Sequence, residues 1–321
     1  MPNTIQVYFS VVIPLYNCRD YIHEAVTSVL DQTFCDFEII VIDDGSTDGS
    51  DEVVKAFDDP RIRYFRQENQ GVSAARNAGI EQAQGRFVAF LDADDYWHKQ
   101  HLEQAREAFL QWDVNWYISD YRKTSERYCA ENLQPYAPGN SALKLVDYCR
   151  KGFQFVCSSS VVIRREALET LRFKNGLQLG EDLLFWYSFA VKNPHVVISE
   201  NITAFYYSRR NSACNTAVPK DSLPLENVCK LMIEQKIPDK NNFLFAVNIY
   251  VMFYRNLSNF GRKSALSILK KYGKYLGNDI KIVFFATIFI SLIHKNKAAG
   301  IAHRYLRWRG IIRPLAVTKV S

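Results

Sequence analysis

The sequence predicts an α/β fold in which a mostly parallel central sheet is flanked by helices and followed by a helical C-terminal extension. Four apolar runs, rich in β-branched and aromatic residues, lie at 9–14, 37–43, 61–65 and 86–92. Helix-like segments alternate with them at 20–31, 48–57, 72–84 and 98–110. Strands that are apolar along their whole length are typical of parallel sheets covered by helices on both faces. The first 110 residues therefore indicate half of a doubly wound sheet.

The alternation loosens after about residue 112. A helix near 182–191 and strand-like segments predict mixed strands that complete the same domain, the segments lying at 116–121, 158–164, 195–199 and 203–208. From about residue 221 the pattern is helical to the end. We therefore expect a first domain of residues 1–220 and a helical, basic C-terminal region of residues 221–321.

The composition indicates a packed intracellular protein. Of the 321 residues, 48% are hydrophobic and 14% are aromatic, which suits a sizeable core and argues against disorder. The seven cysteines are odd in number and form no Cys-x-x-Cys pair, so we expect reduced thiols in a cytosolic protein. The amino terminus has no basic segment before its apolar run and lacks the pattern of a signal peptide. A cytoplasmic location follows as the expectation.

The net charge of +6 is unevenly distributed along the chain. From Lys240 to the end there are 15 Lys and Arg residues against one acidic residue, Asp279. Such asymmetry favours an anionic membrane surface or nucleic acid as a partner, and a solvated helical face is the alternative. The apolar run at 280–293 has 14 residues, short of the roughly 20 that span a bilayer, and predicts a buried or interfacial helix. Residues 301–309 mix aromatic and basic side chains, as helices on anionic membranes do.

Three of the predicted strands end in segments that carry polar side chains. These segments are Pro14–Asn17, Asp43–Ser46 and Asp92–Asp95. Ligands of open α/β sheets bind beyond the carboxyl ends of the strands, so these segments predict one binding rim. Asp44 could accept hydrogen bonds from a base or a ribose, although Ser46 or Asp48 at the same place could simply cap a helix.

The strongest local motif is Asp92-Ala93-Asp94, with Asp95 next to it. Magnesium or manganese is held by one or two carboxylates together with substrate phosphates, and alternate residues at a strand tip can face one diphosphate. We expect Asp95 to cap the following helix or to support the motif from behind. Arg76 lies one turn into a helix that Ser73 would cap, and its planar, permanently charged fork suits a diphosphate. Taken alone, such an arginine is more often a surface residue.

These motifs in their order resemble the family 2 glycosyltransferases of the A-type fold. The matching stretches are VVIPLYN, DQTF, FEIIVIDDGSTD, NQGVSAARNAGI, GRFVAFLDADD and GED at 180–182, so that the resemblance covers about residues 8–212. It implies an inverting transfer of a sugar from a nucleotide diphosphate donor, dependent on a divalent cation, usually Mg or Mn.

The resemblance assigns roles on the donor side of the site. Pro14 and Tyr16 would border the base, and Asp44 would bind its edge. Arg76 would lie near the nucleotide, and Asp92 would contact the ribose. The metal would bind Asp94.

The resemblance also assigns roles in the second half of the domain. Asp182 would be the general base that removes the acceptor hydroxyl proton, and Glu181 beside it would help to place the acceptor. Arg209, with Asn211 and Ser212, matches a loop that in the family often folds over the diphosphate. The histidine that some members use there as a metal ligand is absent.

Several finer expectations concern partners and setting. Residues 304–308 lack the glutamine of the processive Gln-x-x-Arg-Trp motif, so we expect a non-processive enzyme. We expect a UDP sugar as donor, with GDP or dTDP sugars as alternatives, and a lipid-linked glycan acceptor in surface polysaccharide or lipopolysaccharide synthesis. The basic tail would bind the inner membrane surface, pack on the domain or form a homodimer. A nucleotidyltransferase or a non-catalytic nucleotide-sugar binder is the alternative class, and no nucleic-acid module is recognisable.

Overall fold

A computed structural model describes residues 7–129, 133, 143–147, 156–177, 181–207, 230, 233 and 262–275. The chain divides into two compact units, one of residues 1–149 and 153–219 and another of residues 150–152 and 220–321. The assignment of a catalytic role to residues 1–220 and of membrane association to residues 221–321 stays a prediction.

The first half of the sheet is parallel, as predicted. Its strands lie in the order β3-β2-β1-β4, and β1 and β2 are buried along their whole length. These strands are Phe9–Leu15 (β1), Phe37–Asp43 (β2), Ile62–Arg66 (β3) and Phe87–Phe90 (β4). The helices between them are Arg19–Leu30 (α1), Ser50–Lys55 (α2) and Val72–Gln82 (α3). Their carboxyl ends meet at one edge and create the predicted rim.

The second half of the sheet is mixed in direction. It continues from β4 in the order β8-β6-β9-β5, and β7 pairs with β9. Its strands are Tyr96–Trp97 (β5), Trp116–Thr124 (β6), Leu143–Asp147 (β7), Val161–Arg164 (β8) and His195–Tyr207 (β9). The helices of this half are His101–Gln111 (α4), Arg165–Leu168 (α5) and Glu181–Lys192 (α6). Strand β8 is antiparallel to both β4 and β6, whereas β6 and β9 are parallel.

Three details differ from the sequence prediction. The description of the sheet as mostly parallel holds for the first four strands, because the described pairings of β8, β5 and β7 are antiparallel. The predicted strands at 195–199 and 203–208 form one strand, since pairing with β6 continues through 202 with a register irregularity at Asp120. The predicted strand at 158–164 begins with a 3-10 turn, Ser158–Ser160.

Helix α3 lies unusually close to the central strand β1. A Cβ atom on Gly79 would lie 2.2 Å from Cγ1 of Val12, far closer than non-bonded carbon atoms approach each other. Only glycine permits this approach, so the helix axis is held near the sheet. Because α3 starts at the rim, this packing also fixes the position of Arg76 in its second turn.

In the second unit, the described residues form a helix, Arg262–Tyr272 (α7), and a 3-10 turn, Gly273–Tyr275. Ile268 and Tyr272 are buried, whereas Lys263, Leu266 and Lys270 are exposed. No helix within the part of the chain that the structure describes is long and apolar enough to cross a bilayer. The predicted buried or interfacial helix at 280–293 and the predicted membrane-facing segment at 301–309 lie outside the described residues.

Candidate active site

The direction of β8 brings distant parts of the chain to the rim. Because β8 is antiparallel to β4, the chain that enters β8 lies at the edge where β4 ends. The turn Ser158–Ser160 is therefore next to the Asp92 motif, and the backbone N–H of Asp92 donates to Ser159 Oγ over 3.1 Å.

Arg76 lies at the centre of the site and joins two acidic groups. Its side chain is 4% exposed, Nη2 is 2.7 Å from Asp92 Oδ1, and Nη1 is 3.3 Å from Glu181 Oε1. The guanidinium carbon is 5.3 Å from the centre of the Phe173 ring. Burial opposes the charge, but the carboxylates of Asp92 and Glu181, and then that of Asp182, outweigh it and raise the pKa of Arg76. Arg76 therefore connects the rim at the end of β4 to the start of α6.

Glu181 and Asp182 open helix α6 with two consecutive carboxyl groups. Burial and the charge of Asp182 raise the pKa of Glu181 to about 7, although Arg76 acts in the opposite direction. Glu181 is thus a mostly buried carboxyl group held by Arg76, with a second carboxyl group beside it in sequence. A carboxyl group with a raised pKa in such surroundings is typical of acid–base sites.

Asp95 is a buried structural part of the motif. It is 1% exposed, Ser159 Oγ donates to its Oδ2 over 2.5 Å, and the backbone N–H of Tyr207 donates to its Oδ1 over 2.9 Å. Burial, then the charges of Asp94 and Asp92, raise the pKa of Asp95 well above its usual range. The expectation that Asp95 caps the next helix is wrong, because β5 intervenes and α4 begins at His101.

Asp44 fixes the chain that leads into α3. Its Oδ1 accepts hydrogen bonds from Gln67 Nε2 (2.7 Å) and the Gln70 N–H (2.9 Å), and its Oδ2 accepts one from the Gly71 N–H (2.7 Å). A carboxylate has about four lone-pair directions, so one remains on Oδ2. Binding of a base edge by Asp44 stays a prediction. Pro14 is buried in β1, and Tyr16 beyond it is 49% exposed at the rim.

The neighbouring Asp43 has a different function, which the sequence alone did not reveal. It is fully buried and accepts hydrogen bonds from the Ser46 N–H (2.7 Å), Tyr64 Oη (2.6 Å) and Arg66 Nη1 (2.9 Å). Burial and the hydrogen bond with Asp43 raise the pKa of Tyr64 to about 12. Asp43 therefore stabilises the turn from inside the fold, at the last position of β2.

Asn77 was also missed by sequence reasoning. Its side chain forms a pair of hydrogen bonds with the backbone of Phe173, Nδ2 to the carbonyl and Oδ1 to the N–H, each 2.8 Å long. The Phe173 ring stacks on Phe185 of α6 with centroids 3.8 Å apart. The adjacent residues Arg76 and Asn77 thus both contact the second half of the site. The sequence could have indicated this only through their position in α3 just before Gly79, the residue that packs on β1.

The acidic motif fits a hard divalent cation. Asp92 and Asp94 are partly exposed, and their charges add to burial in raising the pKa of Asp95. Across the described residues, no three His, Cys, Asp or Glu side chains form a ready-made metal cage. Mg²⁺ and Mn²⁺ sites with one or two carboxylates completed by phosphate and water have this character. Arg209, the remaining predicted donor-side residue, lies outside the described residues.

The chain belongs to glycosyltransferase family 2. Residues 10–172, just over half of the chain, match the sequence model described as Glycosyl transferase family 2. The predicted family and enzyme class are thereby confirmed.

Relatives at the sequence level carry the same class name. The chain is 35% identical over 186 residues to a Bacillus subtilis protein named for teichuronic acid biosynthesis, glycosyltransferase TuaG, a match that covers 57% of this chain and 72% of TuaG. It is 29% identical over 294 residues to an uncharacterized glycosyltransferase of Rickettsia conorii, covering 88% of this chain and 47% of that protein. An uncharacterized glycosyltransferase of Rickettsia felis is 35% identical over 187 residues, a match that covers 57% of this chain and 30% of that protein. The chain thus spans about half, or less, of these two rickettsial relatives.

Solved structures confirm the A-type fold. S. aureus TarS (residues 1–349) in complex with UDP-GlcNAc has a TM-score of 0.65 at 19% identity, covering 95% of this chain and 92% of TarS. The mannosyltransferase PcManGT from Pyrobaculum calidifontis, in complex with GDP-Man and Mn²⁺, has a TM-score of 0.51 at 16% identity, with 96% and 87% covered.

Proposed function

We propose that this protein is an inverting, metal-dependent, non-processive glycosyltransferase that moves a sugar from a nucleotide diphosphate donor to a hydroxyl group of a glycan acceptor. The observation that carries the proposal is the buried bridge from Asp92 through Arg76 to Glu181, with N···O distances of 2.7 and 3.3 Å. It holds the acidic donor rim beside the two carboxyl groups that open α6. A one-step displacement needs the groups that bind the donor and the base that activates the acceptor next to each other.

In this mechanism Asp182 is the general base. Its carboxylate takes the proton of the acceptor hydroxyl as that oxygen bonds to the anomeric carbon, and the bond to the diphosphate breaks with its electron pair on the leaving oxygen. Attack opposite the leaving group inverts the anomeric configuration. Glu181, held by Arg76, orients the acceptor from the adjacent position. Its pKa of about 7 allows it to donate or to accept a hydrogen bond near neutral pH.

On the donor side, Asp94 would hold Mg²⁺ or Mn²⁺, and Asp92 the ribose. A cation bound there would stabilise the negative charge that develops on the departing diphosphate. Tyr16, exposed at the rim, would border the base together with Pro14, and Asp44 would accept its imino N–H on the remaining lone pair of Oδ2.

The donor we propose is a UDP sugar. Support comes from TarS, solved with UDP-GlcNAc, while the GDP-Man in PcManGT keeps GDP sugars as the alternative donor class. The likenesses to these two proteins are of fold, so the sugar itself is a matter for experiment. The acceptor we propose is a lipid-linked glycan in surface polysaccharide synthesis, supported by the name of TuaG.

The C-terminal region would bring the enzyme to the cytoplasmic face of an anionic membrane. Between residues 262 and 275 there are five Lys or Arg residues and no acidic residue. Lys263 and Lys270 are exposed, and so is the apolar Leu266 between them. Juxtamembrane basic residues contribute about 1 kcal/mol each at such surfaces. Replacing both lysines by Gln should lower sedimentation with phosphatidylglycerol vesicles and leave it unchanged with phosphatidylcholine vesicles; equal sedimentation of variant and parent would refute membrane binding through α7.

Two aspartate variants test the mechanism. A screen of UDP, GDP and dTDP sugars, read by release of the nucleoside diphosphate, first identifies the donor. Asp182→Asn should then retain Mn²⁺-dependent donor binding and lose transfer, whereas Asp94→Asn should lose the Mn²⁺-dependent part of binding as well. Asp113→Asn, at a fully exposed aspartate, is the matched control. Near-normal turnover of Asp182→Asn would show that the base is a different residue.

A further inference from the structure

Asp95 joins three separate parts of the chain in one buried junction, which we define by Asp95, Ser159, Tyr207 and the backbone of Asp92. The Asp95 N–H donates to the carbonyl of Asp92 over 3.0 Å, closing the turn that carries Asp92 and Asp94. The Asp95 carboxyl group accepts from Ser159 Oγ at 2.5 Å and from the Tyr207 N–H at 2.9 Å. The junction therefore connects the end of β4, the start of β8 and the end of β9.

Ser159 makes the junction a closed loop of hydrogen bonds. Its single hydroxyl proton goes to Asp95 Oδ2, so its oxygen accepts the N–H of Asp92 over 3.1 Å. Both backbone groups of Asp92 are thus fixed, one by Asp95 and the other by Ser159. The carbonyl of Ser159 accepts in turn from Trp97 Nε1 over 2.6 Å, which anchors the turn in the core.

Asp95 is too deeply buried to touch a substrate. Its exposure is 1%, and Sγ of Cys157, 4.0 Å from Oδ2, covers the same carboxyl oxygen. Buried, fully satisfied polar groups specify one local geometry, and a partly broken network loses it. Whatever Asp95 contributes to a reaction must therefore pass through the residues that it holds.

We propose that Asp95 is a positioning residue that fixes the turn bearing Asp92 and Asp94 against the second half of the sheet. Strands β8 and β9 reach the turn through Ser159 and Tyr207, so the acidic motif keeps one geometry relative to both. The consequence for metal and donor binding rests on the proposed function. The hydrogen bond between Asp95 and the Tyr207 N–H at the end of β9 is independent of that function.

Adjacent serines provide a matched pair of variants. Ser159 and Ser160 are both fully buried in the same turn, but Ser160 Oγ donates to the carbonyl of Cys157 and makes no bond to Asp95. In the presence of UDP, the free Mn²⁺ signal in electron paramagnetic resonance reports metal binding without turnover. Ser159→Ala should raise the half-saturating Mn²⁺ concentration about tenfold, roughly the loss of one buried hydrogen bond. Ser160→Ala should leave it within about twofold of the parent. Equal values for the two variants would overturn the proposal.

Hydrogen exchange at the Tyr207 amide tests the junction independently of any sugar chemistry. Asp95→Asn keeps an oxygen that can accept this N–H, whereas Asp95→Ala removes it. We expect slow exchange in the parent and in Asp95→Asn and at least about tenfold faster exchange in Asp95→Ala. Slow exchange in Asp95→Ala would show that Asp95 does not hold β9. If the parent binds no Mn²⁺ with any nucleotide while the exchange results hold, the proposed function fails and the junction stands.

Discussion

Glu181→Gln should abolish a specific pH dependence of stability. Burial and Asp182 raise the pKa of Glu181 from 4.5 to about 7 in the folded protein, against the effect of Arg76. At about 1.4 kcal/mol per pKa unit, this difference corresponds to roughly 3 kcal/mol. Below about pH 4.5 the carboxyl group is protonated in both states, and the folded state keeps its proton to higher pH. The stabilisation present at low pH is therefore lost as the pH rises through about 7.

Urea unfolding at several pH values between about 4.5 and 8 measures this effect. The parent should lose roughly 3 kcal/mol of unfolding free energy relative to Glu181→Gln across the range. Subtracting the variant removes the contributions of Asp95 and Cys157, whose pKa values are also raised. Glu166→Gln, at an exposed glutamate on α5, controls for the removal of one carboxyl group. If the difference in unfolding free energy between the parent and Glu181→Gln did not change with pH, the raised pKa of Glu181 would be refuted.

Two further substitutions test the placement of α3. Gly79→Ala should lower the unfolding free energy in urea by about 1–3 kcal/mol or more, because its methyl group would lie 2.2 Å from Val12 Cγ1. Gly273→Ala is the control, since a Cβ atom there meets nothing within 4 Å, and equal stabilities of the two variants would contradict the close packing. Asn77→Ala should cost about 1–3 kcal/mol and change the near-ultraviolet dichroism of the aromatic cluster, because both hydrogen bonds to Phe173 are lost; an unchanged spectrum would contradict this role.

The first half of the fold was predictable because burial on both faces leaves a plain pattern in sequence. Runs such as Phe9–Leu15 and Phe37–Asp43 are continuous and apolar, and their alternation with helices fixes a parallel sheet. The strands added later carry less information. Tyr96–Trp97 is too short to show a period, and the direction of β8 depends on which neighbour it pairs with.

The rim of the site was predictable for the same reason, whereas the contacts within it were not. Parallel strands place their carboxyl ends at one edge, so Asp44 and Asp92 were expected there. The bond from Arg76 to Glu181 joins residues 105 apart in sequence, and no local pattern encodes it. For Asp95 the expected helix cap was wrong because the helical pattern from residue 98 hid the short strand β5, whereas the other expected role, support of the motif from behind, agrees with its burial.

Because β8 is antiparallel to β4, residues inserted before β8 and residues inserted after it would affect opposite edges of the sheet. Residues that enter β8 lie beside Asp92, whereas the chain that leaves it returns to the far edge, where the Arg165 N–H donates to the carbonyl of Arg86 over 2.9 Å. Extra residues inserted just before Ser158 would shift the groups that touch the acidic motif. The same number inserted directly after Leu168, and before Phe173 bonds to Asn77, would lengthen the chain at the opposite edge of the sheet. Surface tags and fusion partners therefore belong at the second place.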